Sequence, residues 1–356
     1  MFCIAAFIIF AILGIFSASY RQLAKRAWQC VWKKIRLKPC DLNFQEEMKS
    51  RLLGRLVVTR PRLARFLDRW IGAFSVLFVA LSIWSLVIVV NSGLNLFVYD
   101  TCNPNNAESC SLGGEACGLN TGKPGFWASL KTGRVVTWAT DGVTTFGQTV
   151  SRIPNRLKTW DAKEYVSDSN TYYKPYDPAK PTALEIIDPG CKFCAKLFGN
   201  IKQTGFAERY NLTYLVYPIP DARHENGYRF PHSRLIASYT EAVKLYPLDT
   251  AVPADWQILE KVFTGKDTDG ISFQEKINVA YTEQETEILL LSWLKDMGYS
   301  ESQLQQIKEA ARSGQVKDSL DRQKDMVENT IQTIKIPTIM FDGRRYDRAV
   351  GPEKLR

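Results

Sequence analysis

The chain has 356 residues, with 46 basic and 37 acidic side chains, a net charge of +9 and 45% hydrophobic residues. That length excludes a single small domain and suits a membrane anchor followed by one large domain. The charge is local: residues 21–69 hold 14 basic and four acidic residues, and the rest of the chain sums to about −1. A nucleic-acid-binding loop is therefore a weaker reading than a loop that sets membrane topology and meets anionic lipid.

In chain order, residues 1–20 contain no charge, which predicts a first membrane-spanning helix. A cleaved signal peptide is the alternative, but the basic residues follow the apolar run instead of preceding it. Residues 21–69 form the basic loop. Residues 70–91 are uncharged and apolar, and about 20 such residues cross a hydrocarbon core as a helix. Positive loops stay cytoplasmic, so the loop is expected inside and everything after residue 91 outside. Cys30 and Cys40 are then expected to be reduced, while Cys102, Cys110, Cys117, Cys191 and Cys194 face an oxidising space. Cys102, Cys110 and Cys117 are odd in number, so one thiol is left over or pairs elsewhere. A structural staple is the expectation for this trio, and a relay of electrons toward the membrane is the alternative.

Residues 92–173 read as a cysteine-containing stalk and linker, with turn signals at Asn103-Pro104 and Gly113-Gly114. Residues 174–356 read as the main domain. Leu184–Asp188 is strand-like, and Cys191-Lys192-Phe193-Cys194 follows it and opens a helix. Leu212–Tyr217 is a second β-branched and aromatic strand. Helical spacing then dominates about residues 232–334, in segments 233–246, 256–263, 283–297, 302–313 and 316–334. Strand character returns at Thr338–Phe341, and Asp342-Gly343 predicts a hairpin into Arg344–Val350.

Two thiols separated by two residues on a first helical turn can close a small disulfide. The helix N-terminus favours the thiolate of Cys191, and thiolate is the form that attacks disulfides. Half of a four-cysteine zinc site is the competing reading, but the other outer cysteines are spaced by eight and seven residues, which fits poorly. No metal or cofactor is expected. Glu185, in an apolar strand context, is a candidate buried acid able to move the proton of Cys194. Lys192 is placed to stabilise a Cys191 thiolate, and Phe193 to offer apolar surface to unfolded substrates. His224 and His232, the two histidines, receive no catalytic role.

The order of strand, CxxC, helix, strand, helical block, Ile336-Pro337-Thr338 and hairpin resembles the thioredoxin superfamily, and the long helical block resembles its DsbA-like branch. The resemblance covers about residues 174–356. It implies an α/β thioredoxin-like fold with a helical insertion, here preceded by two transmembrane helices. It implies a cis Pro337 beside the disulfide, an Ile336 main chain that pairs with an extended substrate segment, and Glu185 beneath the active site. The implied activity is thiol–disulfide exchange through Cys191 and Cys194, with exported or unfolded thiol-bearing proteins as substrates. A membrane redox partner would regenerate the disulfide. The oxidase direction is expected; a reductase or isomerase, or a non-catalytic envelope scaffold, are the alternatives. Lys-Phe between the cysteines departs from the histidine usual in strong oxidases of this branch.

Overall fold

The computed structural model describes residues 7–9, 11–12, 18–35, 61–107 and 114–356. It divides into two units, Met1–Asn91 and Ser92–Arg356.

The first unit contains helix α1 (Ala18–Ile35) and most of helix α2 (Pro61–Tyr99). Proline suits the first turn of α2, where its missing N–H has no partner to lose. Among the described residues one helix is long and apolar enough to cross a membrane, the stretch Ala73–Tyr99, with 27 residues and mean hydropathy 2.6. Leu81, Leu86 and Val89 on it are each more than half exposed. This helix runs past the expected end at residue 91. It stops where Asp100 adopts φ 53°, a left-handed residue that ends a helix. The first expected span, residues 1–20, lies largely outside the described residues, so two spans are not seen. Cys30 corrects an expectation: it is disulfide-bonded, and it is buried beside Val31 and Phe7 instead of standing reduced in an open loop.

The second unit is built on a four-stranded sheet in the order β3-β2-β5-β6, with a small β1–β4 pair beside it. Strand β1 is Cys117–Gly118, β2 is Thr182–Ile187, β3 is Asn211–Val216, β4 is Lys335–Ile336, β5 is Thr338–Phe341 and β6 is Arg344–Tyr346. Strands β2 and β3 are parallel, and β5 runs antiparallel to both β2 and β6. Every residue of β2 and β3 is buried. That accounts for their continuous apolar character, since a strand covered on both faces has no need to alternate.

Two short helices, α3 (Phe126–Lys131) and α5 (Ile153–Leu157), flank the 17-residue α4 (Val135–Ser151) ahead of the sheet. Helix α6 (Lys192–Thr204) joins β2 to β3 and ends at Gly205 with φ 61°, followed by the single turn α7 (Phe206–Arg209). Between β3 and β4 lie α8 (Ser233–Val243), α9 (Ala254–Thr264), α10 (Phe273–Val279), α11 (Glu283–Asp296), α12 (Glu301–Ala311) and α13 (Gly314–Asp325). A π-helical turn, Met326–Ile331, follows α13 and closes at Gln332 with φ 58°. Helix α14 (Pro352–Leu355) packs on α6. The second unit is thus a mixed α/β body, a four-stranded sheet with a helical insertion that resembles the expected thioredoxin-like fold. Trp256 of α9 locks the insertion to the sheet through edge contacts with Tyr214 and Tyr173, at ring distances of 4.7 and 5.3 Å.

Parts of residues 92–173 are built into the main body, while the helices α3 to α5 between them stay outside its core. Cys117, Trp160, Ala162 and Tyr165 belong to the same buried core as the sheet. The Trp160 N–H donates to the Gly343 carbonyl at 2.9 Å, and the Tyr173 N–H to the Leu212 carbonyl at 2.9 Å. Trp160 and Tyr165 gain by burying their large apolar rings in this core, whereas Trp127 and Phe146 on α3 and α4 stay exposed. The body therefore begins near Ser92 instead of Lys174.

Candidate active site

The sulfur chemistry sits where β2 ends. Asp188-Pro189-Gly190 carries the chain off the strand and delivers Cys191 to the N-cap of α6, with φ −80° and ψ 116°. Cys194 lies one turn further on, its N–H donating to the Cys191 carbonyl at 2.9 Å. Both side chains are fully buried. Gly190 is required by close approach: a Cβ there would lie 2.4 Å from Phe230 and 2.7 Å from Ser233 Oγ.

The expected Cys191–Cys194 disulfide is not formed. Cys191 is bonded instead to Cys117, and Cys194 is a free, buried thiol. Cys102 is disulfide-bonded as well. Spacing within the trio could not reveal this pairing, because residues 117 and 191 meet only through the fold.

Cys117 reaches Cys191 on a strand. It pairs with Ile336, and Gly118 pairs with Lys335, in antiparallel register. The Ile336–Pro337 bond is cis, and the Ile336 carbonyl oxygen lies 3.6 Å from Cys191 Sγ. The Ile336 main chain therefore stands beside the sulfurs, and the chain's own residues 117–118 lie along it.

Below the sulfurs, Glu185 is almost completely buried on β2, and its Oε1 has no hydrogen-bond partner. Burial raises its pKa to about 8. Burial also pushes the Cys194 thiol well up, and the nearby Asp188 and Glu185 carboxylates push the same way. The Asp188 N–H opposes this by donating to Cys194 Sγ at 3.4 Å. Lys192 is exposed, with Nζ 5.1 Å from the centre of the Phe193 ring. Phe193 is half-buried against the core. His232 lies at the start of α8 with Nε2 2.8 Å from the Tyr281 carbonyl oxygen. His224 lies beside Asp221. Neither touches the sulfurs. Among the described residues no group of three or more histidine, cysteine or acidic side chains could hold a metal ion.

Sequence reading missed the polar frame that holds this turn. The buried Asp188 carboxylate accepts the Ile219 N–H at 2.7 Å and the Gly190 N–H at 2.8 Å. It also accepts the Ser233 hydroxyl. Its pKa rises to about 6 because burial outweighs these donors. Gln274 Nε2 donates to the Pro189 and Cys191 carbonyls at 2.7 and 3.2 Å, and Asn278 Nδ2 donates to the Gly190 carbonyl at 2.8 Å. Asp188, an acid before Pro189-Gly190, reads in sequence as a turn residue and gave no signal of this role. Gln274 and Asn278 lie on α10, more than 80 residues away in sequence, and carried none.

No protein-family model matches the chain, and no curated protein matches it. Solved structures similar to it include a thioredoxin-like oxidoreductase from Silicibacter pomeroyi, 12% identical, covering 54% of this chain and 90% of that one with a TM-score of 0.37. The thiol-disulfide exchange protein alpha-DsbA2 from Wolbachia pipientis is 15% identical, with coverages of 55% and 88% and a TM-score of 0.37. The MdbA thiol-disulfide oxidoreductase from Corynebacterium matruchotii is 16% identical, with coverages of 54% and 89% and a TM-score of 0.39. These are similarities of fold. The strand order β3-β2-β5-β6 and the helical block between β3 and β4 stand on this chain's own backbone.

Proposed function

We propose that this chain is a membrane-anchored thiol–disulfide oxidoreductase that introduces disulfides into exported proteins through Cys191 and Cys194. The observation that carries this reading is a disulfide-bonded sulfur at the N-cap of α6 with a free thiol one turn behind it. That is the arrangement thiol–disulfide exchange needs. In the working cycle a substrate thiolate attacks Cys191 of a Cys191–Cys194 disulfide. A substrate–Cys191 bond forms, and the electron pair leaves on Cys194, which takes a proton. Glu185 beneath the site is the group we assign to handle that proton. A second substrate thiolate then attacks the substrate sulfur, and Cys191 leaves reduced. The enzyme ends as a dithiol, so a membrane electron acceptor must reoxidise it.

Ala73–Tyr99 serves as the anchor in this reading, and residues 92–356 form the catalytic body, with the helical insertion at about 232–334. Disulfides at Cys102 and Cys117 favour an oxidising location for that body, but Cys30 in the basic segment is disulfide-bonded too, so the extracytoplasmic side rests on the charge asymmetry of residues 21–69 and not on the sulfurs. The helical insertion favours the oxidase direction over reductase or isomerase. A second reading, a non-catalytic scaffold, is favoured by the complete burial of Cys191 and its bond to Cys117.

Redox titration of the full chain in detergent, with alkylation and peptide mapping of thiols at each glutathione ratio, separates these readings. A two-electron transition at Cys191 and Cys194 near about −120 mV is the expected oxidase result, and one near about −270 mV turns the direction to reduction. If neither cysteine changes state before the chain unfolds, the scaffold reading replaces the enzyme.

A further inference from the structure

We propose that Cys117 is a third redox cysteine of this site, carried on a strand that occupies the substrate groove. This deepens the oxidoreductase reading and rests on it. A substrate segment is expected to lie extended along Ile336 and to offer a sulfur to Cys191. Residues 117–118 do both: Cys117 is in register with Ile336, and its sulfur is bonded to Cys191. The chain thus holds an internal counterpart of the enzyme–substrate mixed disulfide.

The strand is anchored on all sides. The Leu119 N–H donates to the Ile334 carbonyl at 2.9 Å, and the Ala349 N–H to the Glu115 carbonyl at 2.8 Å. The Arg229 guanidinium donates to the Gly118 carbonyl at 3.0 Å. Lys196 of α6 pairs with Glu115 at 2.6 Å. The Cys117–Cys191 bond joins the attacking cysteine of a CxxC helix to a strand seated beside it, and leaves the second CxxC cysteine as a thiol.

The exchange step follows. Cys194 gives its proton to Glu185, the group assigned to handle it, and the resulting thiolate attacks Cys191 Sγ. The Cys194–Cys191 bond forms and the Cys191–Cys117 bond breaks. The electron pair leaves on Cys117, which takes up a proton, so one disulfide and one thiol are present before and after. The products are the oxidised CxxC pair and a free Cys117 thiol, from which the strand can withdraw to admit substrate. In reverse, the Cys117 thiolate closes the site. A tethered thiol has an effective concentration in the millimolar range, so it outcompetes substrate at about 10 μM unless the strand lifts.

Quenched thiol mapping of the full chain in detergent tests this, with oxidation of a reduced two-cysteine peptide as the activity readout. In the wild-type chain the Cys117–Cys191 and Cys191–Cys194 disulfides are expected to coexist, each with the complementary free thiol. Cys194→Ser should hold the first form alone. Cys117→Ser should hold the second and oxidise the peptide about tenfold or more faster. Arg229→Ala keeps all three sulfurs and should raise the Cys191–Cys194 fraction by about two- to tenfold, the effect of one hydrogen bond. A wild-type chain that keeps only Cys117–Cys191 while Cys117→Ser gains no activity overturns the proposal and leaves the oxidoreductase reading intact. A Cys191–Cys194 pair in Cys117→Ser that oxidises no peptide overturns both.

Discussion

Glu185 and Asp188 are two carboxyls on one strand end, and their surroundings separate them. Glu185 is buried with an unpartnered oxygen and titrates at about 8. Asp188 is buried among three donors and titrates at about 6. A carboxyl whose folded pKa lies above its ordinary value of 4.5 is stabilising in its protonated form. That contribution is complete below about pH 4.5 and is lost as pH rises through about 8, at about 1.4 kcal/mol per unit across the window. Glu185→Gln should therefore flatten the fall in stability between about pH 5 and pH 8, read by urea unfolding at each pH. Equal slopes in the two proteins would remove Glu185 from the account. The same variant should slow exchange at Cys194 and flatten its pH profile, because the amide cannot take the proton. Glu185 was legible because an acid in an apolar strand is conspicuous. Asp188 was not, because an acid before Pro-Gly reads as a turn until Ser233 and Ile219 are brought to it.

At the scale of elements, α10 shows how a short helix escapes pattern reading. Its seven residues, Phe273–Val279, are too few to display a helical period. Yet Gln274 and Asn278 stand on one face, four residues apart, and hold the Pro189-Gly190-Cys191 carbonyls. Gln274→Ala leaves the buried Pro189 carbonyl without its donor, while the Cys191 carbonyl keeps the Cys194 and Ala195 N–H groups. It should cost about 1–3 kcal/mol in denaturant unfolding. A loss below about 0.5 kcal/mol would mean that the turn holds itself. The longer helices α11 and α12 were visible from sequence through their period, and the structure adds how they start. Thr282 with Glu285 and Ser300 with Gln303 form capping boxes at their starts.

For the whole molecule, the charge-free helix Ala73–Tyr99 exposes Leu81, Leu86 and Val89 along its length, which suits lipid better than water. The full chain should remain in the membrane fraction after alkaline carbonate extraction. Leu86→Arg, at about 2.5–3.5 kcal/mol for a central charge, should release a measurable share of it. Complete extraction of the wild-type chain would sink the anchor. The unit Ser92–Arg356 in turn encloses a site that includes a strand from its own N-terminal part.

The sequence by itself determined whatever depends on neighbours along the chain. The apolar runs, the strand before the CxxC, the helix it caps, the helical block and the Asp342-Gly343 hairpin are all local patterns of period, charge and turn chemistry. Tertiary structure alone decided which sulfur Cys191 holds, since residues separated by 74 positions come together only when β1 pairs with β4. It also decided that Cys117 and residues 160–165 join the core, because Trp160 and Tyr165 find their burial only against a sheet formed later in the chain. Local physics set the chemistry available at residue 191, and long-range packing chose its partner.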